Sequence, residues 1–270
     1  MITASISEQQ QRWLRQLLWT EAEGCAIFRR DRQKILFRCR APGANEDWFG
    51  KLYLNPAWPQ QLRDRCSCSG GKREFRQAQR LRQQGVSIPM PVAGFGDQRF
   101  GRGRRSLFVA EWCEEMVSLR THVLQHYHHT KKHCRYALQD LSRALGCYLA
   151  DLHARSVFPR DLNPGNLLLR IGADAAPVLM LVDYEHIAFA PRRRQRYIQL
   201  ALSQLGAFLL PIDAEAVIWL CEGYASFSGS VDTALLRQVP ALARRRLSRW
   251  HGQIDQHFDK IAAALRAPGD

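Results

Sequence analysis

The feature that most constrains this chain is a polar turn set between apolar segments: residues 158–170 read FPRDLNPGNLLLR, and VLMLVDYEHIAF follows from residue 178. Upstream, Leu138, Leu141, Leu145, Leu149 and Leu152 recur at steps of three and four, the period of a long core helix. Residues 167–169 and 178–182 are short apolar runs, which predicts a buried hairpin whose second strand ends at Asp183. Asp, Asn, Pro and Gly are ordinary turn formers when taken singly. What carries information is their order: core helix, D-x-x-x-x-N turn, apolar strand, then a second apolar strand ending in Asp.

That order is expected to bring Asp161, Asn166 and Asp183 to one cleft, and three oxygen-bearing side chains so placed suit phosphoryl transfer from ATP. A loose transition state needs Mg²⁺ on the phosphate oxygens and a carboxylate to aim the attacking hydroxyl. Asp183 and the amide oxygen of Asn166 would hold the Mg²⁺, with Asp161 as the catalytic base. The nucleotide phosphates also need a cation, and Lys51 lies inside an apolar strand where a lysine needs a reason. Glu74 shares a helix face with Ala78 and Leu81 and is expected to pair with Lys51, with Lys34 the rival for the lysine role. The turn FRRDRQK between the first two strands carries no glycine-rich phosphate motif.

The rest of the chain sorts around this centre. Ser7 with Gln10 makes a capping box before Trp13, Leu14, Leu17 and Leu18, so a short amphipathic helix is expected, packed on the body of the protein. The runs CAIF, KILFR and DWFGKLYL read as an antiparallel meander. After the basic segment RDRCSCSGGKR comes a helix that stops at Gly85, then a strand pair, PVAGFG and SLFVAEWC, around the basic turn DQRFGRGRR. The final third reads as several helices, with breaks at Pro211 and Pro240. The segment HYHHTKKH lacks carboxylates at a ligand spacing and reads as a solvated helix end. A β-rich part, residues 1–113, thus gives way to a helical part, residues 114–270, with residues 111–113 as the linker.

Composition bounds the setting. The 39 Lys and Arg against 25 Asp and Glu leave a net charge of +14, a field that attracts polyanions without choosing among them. No run of about 18 apolar residues appears and no signal-peptide pattern opens the chain, so a cytoplasmic protein is expected. The eight cysteines have no paired zinc spacing and are read as reduced thiols.

On these residues the chain resembles protein-kinase-like phosphotransferases, and more narrowly the lipopolysaccharide core kinases of Gram-negative bacteria, the Kdo/WaaP family. The matching text is PRDLNPGN-LLL and LVDYE, with KREFRQAQRLRQQGVSIPMPVAGFG upstream. It covers roughly residues 50 to 205. The resemblance implies an α+β, two-lobed fold with an antiparallel β lobe and a mainly helical lobe. It implies Asp161 as catalytic aspartate, Asn166 and Asp183 as metal ligands, Lys51 with Glu74 at the phosphates, and the main chain of Glu111 to Cys113 at the adenine. The implied acceptor is a heptose or Kdo hydroxyl of the lipopolysaccharide inner core or a lipid-linked glycan. The implied location is peripheral, on the anionic cytoplasmic face of the inner membrane, where Arg102 to Arg105 and Arg192 to Arg196 would meet lipid; no nucleic acid partner is implied. The chain departs from the family at Pro159, which stands where a histidine usually braces the loop.

Two other readings stay open at this level. The same fold accepts small molecules or protein Ser/Thr as acceptors. A kinase-like binding protein without activity is the other, and ATP- and Mg²⁺-dependent thermal stabilisation separates it from an enzyme.

Overall fold

A computed structural model describes residues 6–54, 69–96, 105–127, 135–171, 177–228 and 233–266. The basic segment at 63–68, the turn at 97–104 with Arg102 and Arg104, and the histidines at 128, 129 and 133 lie outside the described residues. The chain divides into two compact units. One comprises residues 1–114 together with 183–185, and the other residues 115–182 and 186–270.

In the first unit, α1 (Glu8–Thr20) starts at a full capping box between Ser7 and Gln10. Its buried leucines 14, 17 and 18 join Ile35, Phe37, Leu52, Val92, Phe95 and Leu107 in one apolar cluster, so the helix spends its apolar face on the sheet. That sheet comprises β1 (Ala26–Arg30), β2 (Lys34–Arg40), β3 (Asp47–Tyr53), β4 (Pro91–Gly96) and β5 (Ser106–Glu111). The order is β1-β2-β3-β5-β4 with every neighbour antiparallel. Helix α2 (Gly70–Gln83) lies on β4 and β5, burying Glu74, Phe75, Ala78 and Leu81 along one stripe. It ends before Gly85, whose φ of 71° is a left-handed conformation that glycine enters at little cost.

The second unit is mainly helical. It contains β6 (Val117–Ser118), α3 (Leu119–Tyr127), α4 (Arg135–Ala154), β7 (Val157–Pro159), β8 (Leu167–Arg170), β9 (Val178–Leu181), β10 (Ile187–Phe189), α5 (Arg194–Leu209), α6 (Ala216–Ser228) and α7 (Thr233–Arg266). Strands β8 and β9 form the expected hairpin, extended by β6, while β7 pairs with β10. The leucine stripe of α4 is buried throughout. Helices α4 and α6 cross closely because each presents a glycine: a Cβ at Gly146 would stand 2.1 Å from the Leu220 carbonyl oxygen, and one at Gly223 2.1 Å from that of Arg143.

Pro211 does separate α5 from α6, but Pro240 does not break its helix; α7 runs through it. A mid-helix proline forfeits one backbone bond and crowds the preceding turn. Here Leu235, Leu236, Val239 and Ala243 are buried on both sides of it, and α7 packs on α5, so tertiary packing holds the helix together across the defect.

Candidate active site

In the second unit the polar turn is built from the backbone outward. Strand β7, with Val157, Phe158 and Pro159 all buried, delivers the chain to Arg160, whose N–H donates to the His186 carbonyl at 2.8 Å. Asp161 is exposed, and Leu162 next to it is fully buried as the anchor. Asn163 caps the short 3₁₀ turn Pro164–Asn166, its Oδ1 accepting from the Gly165 N–H at 2.9 Å and from Arg120 at 2.6 Å. The Asn166 amide nitrogen donates to the Asp161 carbonyl at 3.1 Å. With its nitrogen so used, the side chain presents its oxygen, the atom a hard cation takes. Asp161 and Asn166 are therefore joined in one turn. The Val182 N–H donates to the Asn166 carbonyl at 2.9 Å, and the chain passes from Val182 directly into Asp183.

Asp183 belongs to the first unit, where it meets the strand lysine. Lys51 is 4% exposed on β3, and its Nζ lies 2.6 Å from Glu185 Oε1, 2.8 Å from Asp183 Oδ1 and 3.3 Å from Glu74 Oε1. Three carboxylates thus engage the three donors of one ammonium. Burial opposes the charge on Lys51, but Glu74, Asp183 and Glu185 outweigh it and raise its pKa well beyond the ordinary lysine range. Lys34, from β2, does not take this central position; its Nζ lies 2.5 Å from Glu185 Oε1, on the partly exposed side of the cluster.

Two members of this cluster escaped the sequence reading. Tyr53 follows Lys51 by two residues and so shares its face of β3; its hydroxyl bonds Glu74 Oε2 and, at 2.7 Å, Glu185 Oε1. A phenol has one hydrogen to donate, so with both carboxylates ionised one of these contacts sets oxygen against oxygen. Burial pushes the Glu74 carboxyl up, whereas for Glu185 burial is outweighed by Lys51 and Lys34, which hold it down at about 2. Glu74 is the acid that takes up a proton first. The signal for Glu185 was its place two residues after Asp183, and for Tyr53 the period of the strand.

Asp183 itself has a φ of 62°, a left-handed conformation uncommon outside glycine but tolerated by Asp. It is held by its neighbours: Tyr184 is buried with its ring edge-on to Phe108 at 5.9 Å, and its N–H donates to Glu74 Oε1 at 3.3 Å. Glu111 and Cys113 lie apart from this cluster, at the end of β5 and just beyond it. The Glu111 N–H donates to the Met90 carbonyl at 2.9 Å and the Trp112 N–H to that of Asp47 at 3.0 Å. The β1–β2 turn is closed by Asp31 Oδ1, which accepts from the N–H of Gln33 and of Lys34.

Oxygen donors at Asn166 and Asp183 are of the class Mg²⁺ prefers, and the Lys51 ammonium is of the class that meets phosphate. In chemical class, each of these groups suits a magnesium nucleotide.

Residues 43–224 match the family model described as the lipopolysaccharide kinase (Kdo/WaaP) family. A 3-deoxy-D-manno-octulosonic acid kinase of Vibrio vulnificus (strain CMCP6) is 28% identical over 137 residues, 51% of this chain and 50% of that protein. The chain thus matches about half the length of this curated relative. Among solved structures, the one described as WaaP in complex with acyl carrier protein superposes with a TM-score of 0.62 at 19% identity, covering 85% of this chain and 90% of its own. The BubR1 kinase domain superposes with a TM-score of 0.52 at 14% identity, covering 91% and 87%. These two likenesses establish the α+β protein-kinase-like fold.

Proposed function

The chain belongs to the lipopolysaccharide kinase (Kdo/WaaP) family, and from that premise we propose that it transfers the γ-phosphoryl group of ATP to a heptose or Kdo hydroxyl of the lipopolysaccharide inner core. The observation that carries the reading is the buried ammonium of Lys51, held among Glu74, Asp183 and Glu185. A buried lysine ordinarily loses its charge; this one is kept charged by carboxylates, as a phosphate-binding cation must be.

In this reading the acceptor oxygen forms a bond to the γ-phosphorus, the bond to the ADP oxygen breaks, and the acceptor proton passes to the Asp161 carboxylate. Lys51 contacts the nucleotide phosphates and Glu74 keeps it in place. The main chain at Glu111 and Cys113 meets the adenine. Asn166 and Asp183 would hold Mg²⁺, which when bound would neutralise phosphate charge.

The acceptor's own phosphates and carboxylates need cations near Asp161. Burial and neighbouring Arg249 lower the pKa of the Arg246 guanidinium while Asp161 raises it, so Arg246 on α7 stands within electrostatic reach of the proposed base. This supports an anionic acceptor. The net charge of +14 supports peripheral attachment to anionic lipid at the cytoplasmic face of the inner membrane. Among the described residues no helix is long and apolar enough to cross a membrane.

The test is transfer of label from γ-labelled ATP and Mg²⁺ to purified inner-core lipopolysaccharide, with the Asp161→Ala protein as control. Label in the glycan that disappears with Asp161→Ala is the expected result. Binding of ATP and Mg²⁺ without transfer overturns the acceptor, and binding of neither overturns the kinase reading.

A further inference from the structure

Helix α5 is buried along its second half, residues 201–209, and almost every side chain there is apolar or small. Gln204 is the exception in size and polarity, at 7% exposure. A buried carboxamide is costly unless both its ends are bonded, and here both are. Gln204 Oε1 accepts from the Leu162 N–H at 3.1 Å, and its Nε2 donates to the Arg160 carbonyl at 3.2 Å. These are the residues immediately before and after Asp161.

We propose that Gln204 is the positioning residue of the catalytic loop: one side chain grips the backbone on either side of Asp161 and thereby sets where its carboxylate points. The proposal rests on the reading of Asp161 as the base. Two further backbone groups of the segment are bonded as well, the Arg160 N–H to the His186 carbonyl and the Asp161 carbonyl to the Asn166 amide. From residue 160 to 162 the chain is therefore tied at four points while the Asp161 side chain itself stays exposed. Pro159, just upstream, is buried in β7 in register with Ile187.

A carboxylate displaced by about 1 Å from its reacting geometry costs on the order of a hundredfold in rate. Gln204→Leu keeps the volume and removes both bonds; its kcat should fall ten- to a hundredfold, with KM for ATP within twofold of the wild type. Gln204→Glu keeps the acceptor for the Leu162 N–H but sets a carboxylate against the Arg160 carbonyl. Its kcat should fall less, and should recover relative to wild type as pH is lowered and the new acid gains a proton to donate. Leu220→Ala, in the α4–α6 contact, is the control for lost stability alone and should leave kcat unchanged where it is folded.

A Gln204→Leu enzyme with wild-type kcat, or a Leu220→Ala enzyme that loses as much at the same thermal stability, overturns the proposal. Hydrogen exchange reads the clamp without turnover: the Leu162 amide should exchange faster in Gln204→Leu while the Gly165 amide does not change. Should the wild type transfer no phosphate to any glycan, the proposed function fails, and unchanged protection at Leu162 then separately overturns the clamp.

Discussion

The Nζ of Lys51 and the Oδ1 of Asp183 lie 2.8 Å apart although 132 residues separate them in the chain. The contact places the residue that would hold the metal against the residue that would hold the phosphates, within a cluster of three carboxylates and two ammonium groups.

Removing Lys51 should therefore damage the fold as well as the chemistry. Lys51→Met leaves Glu74 and Glu185 buried with their main counter-charge gone, a change that costs about 3–5 kcal/mol when one partner of a buried pair is deleted. A clear fall in the urea midpoint together with loss of ATP-dependent thermal stabilisation is expected. A variant as stable as wild type contradicts the cluster's charge balance.

At Asp183 the side chain and the backbone can be tested apart. Asp183→Ala places a residue with no polar side chain at a φ of 62°, which costs about 1–2 kcal/mol, whereas Asn tolerates that conformation. Both variants should lose turnover. Only Asp183→Ala should also lose measurable stability, and equal melting temperatures for the two would show that this backbone strain is negligible.

Three buried groups bear on the response to acid. The ordinary value for a histidine is 6.5, and burial, with Arg194 adding to it, pushes His153 down to about 3. The unfolded chain therefore binds a proton that the folded one refuses, and stability falls as pH drops from about 6.5 towards 3. Glu185 has an ordinary value of 4.5 and a folded value of about 2, so its contribution is present above 4.5 and is lost as pH falls through 2. Glu74 acts in the opposite sense, its raised value penalising the fold as pH climbs above 4.5. Urea midpoints across this range should decline in wild type, and Glu185→Gln should flatten the part below 4.5 only.

Arg246 tests the charge of the acceptor. Arg246→Ala should raise KM for inner-core lipopolysaccharide about tenfold and leave KM for ATP unchanged, and the difference should shrink at high salt because exposed charge contacts are screened. An unchanged acceptor KM removes Arg246 from the acceptor site.

Much of the local architecture was legible. The leucine period announced α4, the apolar runs announced the β8–β9 hairpin, and the capping box announced α1, because each signal lies within one turn or one strand of the element it specifies. The turn holding Asp161 and Asn166 is likewise local: it lies within residues 161–166, with one capping Asn and one Pro. The break expected at Pro240 was the misreading, since local propensity argues for a break and only the packing of α7 on α5 overrides it.

What the sequence determined by itself was therefore a set of local elements, among them α1, α4 and the β8–β9 hairpin, with the polar turn and the strand bearing Lys51, all encoded over a few residues of spacing. What only the tertiary structure decided was how the buried polar groups are satisfied: Tyr53 reaches Glu185 across 132 residues, and Gln204 reaches Arg160 across 44. The reason is physical. A buried donor or acceptor must find a partner wherever the fold brings one near, and that choice depends on the packing of distant segments rather than on the residues beside it.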